Sequence, residues 1–85
     1  MDDWSLGTVK IKKIREEGLI HKHITYEGRI VGACALEGYS LNKSFENEYW
    51  IGQMVPVKYK MVTEGQGYKK LGHKDEFAVF EILED

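Results

Sequence analysis

WIGQMVPVKYKM, residues 50–61, is the stretch whose reading decides the fold class. Val55, Val57, Tyr59 and Met61 share one parity, and Pro56, Lys58 and Lys60 share the other. A period of two marks a half-buried strand, because successive Cβ atoms of an extended chain point to opposite sides. Pro56 has no N–H to give to a ladder, so it predicts an edge or a bulge at its own position.

Three other segments carry the same period, and together with the apolar run at 29–36 they predict strands over 5–14, 19–26, 29–36 and 76–83 around the one at 50–61. In the first, Val9 and Ile11 point inward while Thr8, Lys10 and Lys12 point outward. The period slips between Ile11 and Ile14, which predicts a bulge. The second places Ile20, Ile24 and Tyr26 on one face and His21, His23 and Thr25 on the other. RIVGACAL, residues 29–36, is apolar on both sides and reads as a central strand, with Gly32 as a point of bending. The last alternates Phe77 and Val79 with Ala78, Phe80 and Ile82, so it suits burial on either face.

Glu16-Glu17-Gly18 and Glu27-Gly28 read as tight turns, since glycine takes positive φ without steric cost. Two connections are longer. Residues 37–50 have room for one short helical turn near 44–48, or for a loop pinned by Leu41, Phe45, Tyr49 and Trp50. Residues 63–74, TEGQGYKKLGHK, are glycine-rich and basic, a composition suited to a functional loop. No repeat or change of composition divides residues 1–85, so a single domain is expected. The expected fold is all-β: a small five-stranded antiparallel, partly closed barrel, OB-like or SH3-like. Closure is favoured because an open sheet of this size leaves one apolar face in water.

LGTVKIKKI (6–14), HITYEGRIV (23–31) and YWIGQMVPVKY (49–59) together resemble a group of uncharacterised bacterial small β-barrel (OB-like) domains. In that group a GTV-type first strand is followed by a polar-aromatic-Gly hairpin and a closing y-x-x-G-x-x-V-x-V-x-Y segment. The resemblance spans about two thirds of the chain and implies the barrel. It implies no activity, because the group has none to transfer. Members often adjoin membrane helices, and this chain departs from them in having none. It also lacks the proline turn after the final tyrosine: Tyr59 is followed by KMVTEGQGYKKLG.

Eighty-five residues allow one core. A domain near this size buries only about 60% of its unfolded surface, so its stability is modest. The single cysteine, Cys34, excludes an internal disulfide, and within an apolar run it reads as a small buried thiol. One thiol and no secretory leader pattern fit a reducing, cytoplasmic setting in a bacterium. No apolar run approaches the roughly 20 residues that cross a bilayer, so no membrane insertion is expected.

Chemistry-bearing constellations are few. His21 and His23 emerge on one predicted face, and with Cys34 or His73 they would be metal-ligand types. No third or fourth ligand is identifiable by spacing, so no metal and no cofactor are expected. Ser5, Ser40 and Ser44 stand in no nucleophile-elbow context, and Cys34 has no evident base. Glu46 and Glu48 read as a solvated rim. GQGYKKLG lacks the Walker spacing. No catalytic residue is assigned, and an enzyme is not expected.

Charge placement says more than the net −2. Acids gather at the ends and in turns, while the first four predicted strands carry lysine, arginine and histidine. The reading is a non-enzymatic binding or accessory module acting through protein–protein contact or self-association. Met54, Met61, Trp4 and Trp50 would supply its apolar contacts. The alternative is single-stranded nucleic acid on a basic barrel face. Lys10, Lys12, His21, His23, Lys58, Lys60 and Lys70 would then meet phosphates, and Tyr68 would stack on a base.

Overall fold

The computed structural model describes residues 3–32, 36–63 and 65–84. The alternating segments form five strands: β1 (Ser5–Glu17), β2 (His23–Ile30), β3 (Glu37–Ser40), β4 (Met54–Thr63) and β5 (Glu76–Ile82). They close into a barrel in the order β1-β2-β3-β5-β4. Every neighbouring pair is antiparallel except β3 and β5, which run parallel. The exception has a topological cause. Successive strands alternate in direction, and a closed ring of five, an odd number, must contain one parallel pair. The expected small five-stranded, OB-like barrel is present, antiparallel in every pair but β3–β5 and closed rather than partly closed.

The interior is built from the inward parity of each strand. Val9, Ile11, Tyr26, Ile30, Val55, Val57, Ala78, Phe80 and Ile82 form the main core. A second cluster lies on the outer side of β4 and β5. There Val62, Phe77 and Val79 are covered by Trp4, Tyr39, Leu41, Tyr68 and Leu71. Strand β5 is therefore buried on both faces, as its two-sided apolar pattern predicts. Of the inward series in β4, Val55 and Val57 are buried and Tyr59 packs against the core, but Met61 is 58% exposed.

Strands β2 and β3 fall later in the chain than periodicity predicts. Glu27-Gly28 is not a turn but the middle of β2, paired with β1 and β3. Gly28 is needed because the backbones approach closely: a Cβ there would collide with the carbonyl oxygen of Lys10 and with Val9 Cγ1. The turn lies instead at Val31 and Gly32, where Gly32 has φ 82°. The expected central strand over 29–36 is divided: Arg29 and Ile30 end β2, and Leu36 precedes β3. Cys34 lies outside the described residues. Upstream, β1 continues through Glu16 and Glu17, which pair with Ile24 and His23. The turn begins at Gly18, with φ 105°, and Leu19 and Ile20 stand in solvent rather than in a strand.

The predicted slip in β1 is real, with a register shift between Ile11 and Lys13. It lets β1 serve two neighbours, with residues 5–10 paired to β4 and 9–17 to β2. Strand β4 is not an edge, despite Pro56. The carbonyl of Pro56 accepts from the N–H of Leu83 just past the end of β5. In an antiparallel ladder the N–H and C=O of one residue face the same neighbour. The missing N–H therefore falls where the β4–β5 ladder stops, and the β1 side is untouched.

No helical turn forms at 44–48. Ser44 makes an extended bridge to Ile24, and the connection is tied down by Tyr26. The Tyr26 hydroxyl donates to Asn47 Oδ1 at 3.1 Å and accepts the Glu48 N–H at 3.0 Å. The Tyr49 ring meets the Tyr26 ring edge-on at 5.2 Å. Tyr49 and Leu41 thus pin this loop as expected, while Phe45 and Trp50 are exposed.

Candidate binding cleft

The outward parity of β1, β2 and β3 places Arg15, Thr25, Glu27 and Tyr39 on one patch of the barrel wall. Glu27 is the cross-strand neighbour of Tyr39, and Arg15 of Thr25. The β4–β5 connection folds back over this patch and is held at two points. The Tyr39 hydroxyl donates a 2.6 Å hydrogen bond to the carbonyl of Lys69. Lys74 Nζ lies 3.0 Å from Glu37 Oε1. Leu71 and Tyr68 add apolar contact with the Val62–Phe77–Val79 cluster. Between wall and loop lies a cleft of about 390 Å³, lined also by Glu17, Ser40, Leu41, Lys43, Lys70 and Gly72.

The floor is rigid for identifiable reasons. The Tyr39 ring stacks on Phe77 at 5.8 Å, so its hydroxyl is aimed by packing. Burial, and then the nearby Tyr68, push the Tyr39 hydroxyl above the ordinary tyrosine range, so it stays a donor. The Ser40 hydroxyl accepts the Tyr26 N–H at 2.9 Å, continuing the β2–β3 contact beyond its last ladder pair. Glu37, at the loop's second anchor, is held below the usual carboxylate range, chiefly by its hydrogen bond to Lys74.

The cleft carries four basic side chains, Arg15, Lys43, Lys69 and Lys70, against the carboxylates of Glu17 and Glu27. Glu27 is neutralised by its ion pair with Arg15, and Glu17 stands 3.7 Å from His23 Nε2. Lys70 lies 3.5 Å from Asp75 outside the cleft. Lys43 and Lys69 make no ion pair among the described residues. A bound anion would therefore meet the ammonium groups of Lys43 and Lys69, a guanidinium shared with Glu27, and the Glu17 carboxylate beside His23.

Of the eight residues proposed from sequence for nucleic acid, Lys70 alone lines this cleft. Lys10 and Lys12 are exposed on β1, and Lys10 is paired across the ladder with Arg29. His21 is exposed in the β1–β2 connection, and His23 begins β2 beside Glu17. Lys58 and Lys60 place their ammonium groups over the Trp4 ring at 5.2 and 4.9 Å, and Lys60 also lies 5.3 Å from the Tyr68 ring. Lys58 is 3.8 Å from Glu81. Tyr68 packs against the outer cluster. Parity alone did not point to Arg15, Lys43 or Lys69, because Arg15 lay past the predicted strand end and the two lysines lie in loops. The basic loop composition at 63–74 was the signal that did point here.

Among the described residues no group of three His, Cys, Asp or Glu is placed to hold a metal, so His21, His23 and His73 are not brought together as ligands. No helix of the described residues is long and apolar enough to cross a membrane. The fold thus defines a five-stranded, OB-like barrel with a basic cleft on its β2–β3 side. Comparison of the chain with protein-family models, with characterised proteins and with solved structures finds no match.

Proposed function

We propose that this chain is a non-enzymatic binding module whose cleft holds single-stranded nucleic acid. The observation that carries the reading is the position of the cleft. It lies on the β2–β3 wall under the β4–β5 loop, with Arg15, Lys43, Lys69 and Lys70 around it. OB barrels bind oligonucleotides and oligosaccharides on that wall, between the β1–β2 and β4–β5 loops. That is an analogy of fold; the cations make a polyanion the better fit. The phosphate site proposed here is thus Lys70 with Arg15, Lys43 and Lys69, rather than the wider set read from parity. A cytoplasmic setting is part of the same reading and rests on the lone cysteine.

Fluorescence anisotropy with a labelled mixed-sequence 12-nucleotide single strand tests it at low and physiological salt. Binding that weakens with salt, and weakens further in a Lys69→Ala/Lys70→Ala double variant, is the expected result. Each phosphate contact removed lowers the salt slope by about 0.7. A flat titration at low salt sinks the proposal.

Protein contact or self-association is a second reading, and a specific observation favours it. Trp50, Met54 and Met61, expected as contact residues only if exposed, are 64%, 53% and 58% exposed.

A further inference from the structure

The wall that carries the cleft ends in a histidine. Beyond the bulge, the parity of β1 opposite to inward Ile14 runs through Lys13, Arg15 and Glu17, and that of β2 opposite to buried Tyr26 through His23, Thr25 and Glu27. Glu17 and His23 are the last cross-strand partners of the β1–β2 ladder. Their side chains meet there, with His23 Nε2 3.7 Å from Glu17 Oε2. The His23 side chain is only 16% exposed, while Glu17 lines the cleft. The next residue, Ile24, exchanges backbone hydrogen bonds with Ser44. The start of β2 is thus fixed between β1 and the connection that carries Lys43.

The two carboxylates of the cleft are balanced differently. Glu27 is paired with Arg15, whose guanidinium keeps its charge at every working pH. The one ion-pair partner of Glu17 among the described residues is His23. An imidazole gains or loses its charge between about pH 5 and 8. The other charges around the pair are of types that ordinarily titrate outside that range. Glu16 and Lys22, beside it on the two strand ends, pair with each other at 3.4 Å. Lys13 stands opposite Glu27 on the same wall, Lys43 comes from the connection after β3, and Lys69 and Lys70 come from the β4–β5 loop. His21 is exposed in the turn before β2, and His73 is exposed in the β4–β5 connection.

We infer that His23 is a proton-operated switch on the anion affinity of the cleft. The inference rests on the cleft being a polyanion site. With His23 neutral, Glu17 presents a carboxylate that repels an incoming phosphate. With His23 protonated, the imidazolium offsets that carboxylate, and Arg15, Lys43, Lys69 and Lys70 act against less opposition. Affinity for a polyanion therefore rises as pH falls through the histidine range. The coupling is reciprocal, so binding within that range takes up protons. It needs no change of shape, because the two side chains already touch across the ladder.

Anisotropy with a labelled single-stranded 12-mer of thymidine, at pH 5.5 and pH 8 and one low ionic strength, tests the switch. Thymine does not titrate between these values, so the pH response belongs to the protein. The parent chain should bind about threefold more tightly or better at pH 5.5. His23→Gln should lose the response and stay at the weaker level. Glu17→Gln should also lose it, but at the stronger level, since the repelling carboxylate is gone. His21→Gln and His73→Gln should keep the full response. Binding that is equal at the two pH values overturns the inference and leaves the cleft reading standing. So does a response that survives in His23→Gln, with amide NMR spectra confirming that the variant is folded. Absence of binding at both pH values overturns the cleft reading and the switch together.

Discussion

The hydroxyl of Tyr39 on β3 donates a hydrogen bond of 2.6 Å to the carbonyl of Lys69, thirty residues further along the chain. This contact joins the cleft floor to the loop that forms its opposite side. Tyr39→Phe removes the bond and keeps the ring stacked on Phe77. Stability should fall by only about 1 kcal/mol. Oligonucleotide affinity should fall more visibly, because Lys69 and Lys70 lose their fixed position. The effect should also follow pH. The Tyr39 pKa is raised in the folded chain, so its contribution is complete below the unfolded value near 10.0 and is lost as pH rises through the folded one. Urea titrations above and below pH 10 should show this loss in the parent and not in Tyr39→Phe; an identical pH response removes the assignment.

Glu37 and Lys74 form the second tether of the same loop. The Glu37 pKa is lowered from 4.5, first by the hydrogen bond to Lys74. Its contribution is therefore present above about pH 4.5 and fades as pH falls through the lower folded value. Since the pair is solvent-accessible, the contribution at neutral pH should be below about 1 kcal/mol. Glu37→Gln should lower the urea midpoint slightly at pH 7 and by less at pH 3. Equal destabilisation at both pH values would show that Glu37 acts through packing rather than charge.

Gly28 and Gly7 should respond differently to alanine. At Gly28 the added methyl meets the backbone of Lys10, which cannot swing away, and the Val9 side chain at 2.5 Å. At Gly7 it meets the Tyr59 ring, with Cε1 at 2.7 Å, and an aromatic ring can rotate or shift. Thermal unfolding should place Gly28→Ala at a cost of about 1–3 kcal/mol or above, with Gly7→Ala milder. The reverse order would mean that β1 and β2 are not in the register Lys10 with Arg29.

Local pattern explains which features were legible. The bulge near Ile11 showed as a break in parity, and the two-sided burial of β5 showed in Phe77 to Ile82, because both leave their mark within one segment. The loop at 63–74 announced itself by composition. The shift of β2 and β3 did not, since Glu27-Gly28 has the same letters whether it turns the chain or admits a neighbouring backbone. Likewise, Lys58 and Lys60 share a parity with each other, but nothing local shows that they close on Trp4 rather than on a ligand.

By itself, then, the order of residues determined an all-β chain, its inward faces in β1, β4 and β5, and a basic loop before the last strand. The tertiary structure decided the register of β2 and β3, the parallel β3–β5 contact and the cations that meet in one cleft. The division has a physical reason. Side-chain alternation is set by each strand's own backbone and is written along it. Close approaches, ring closure and charge neighbourhoods depend on which distant strand lies alongside, and no single segment encodes that.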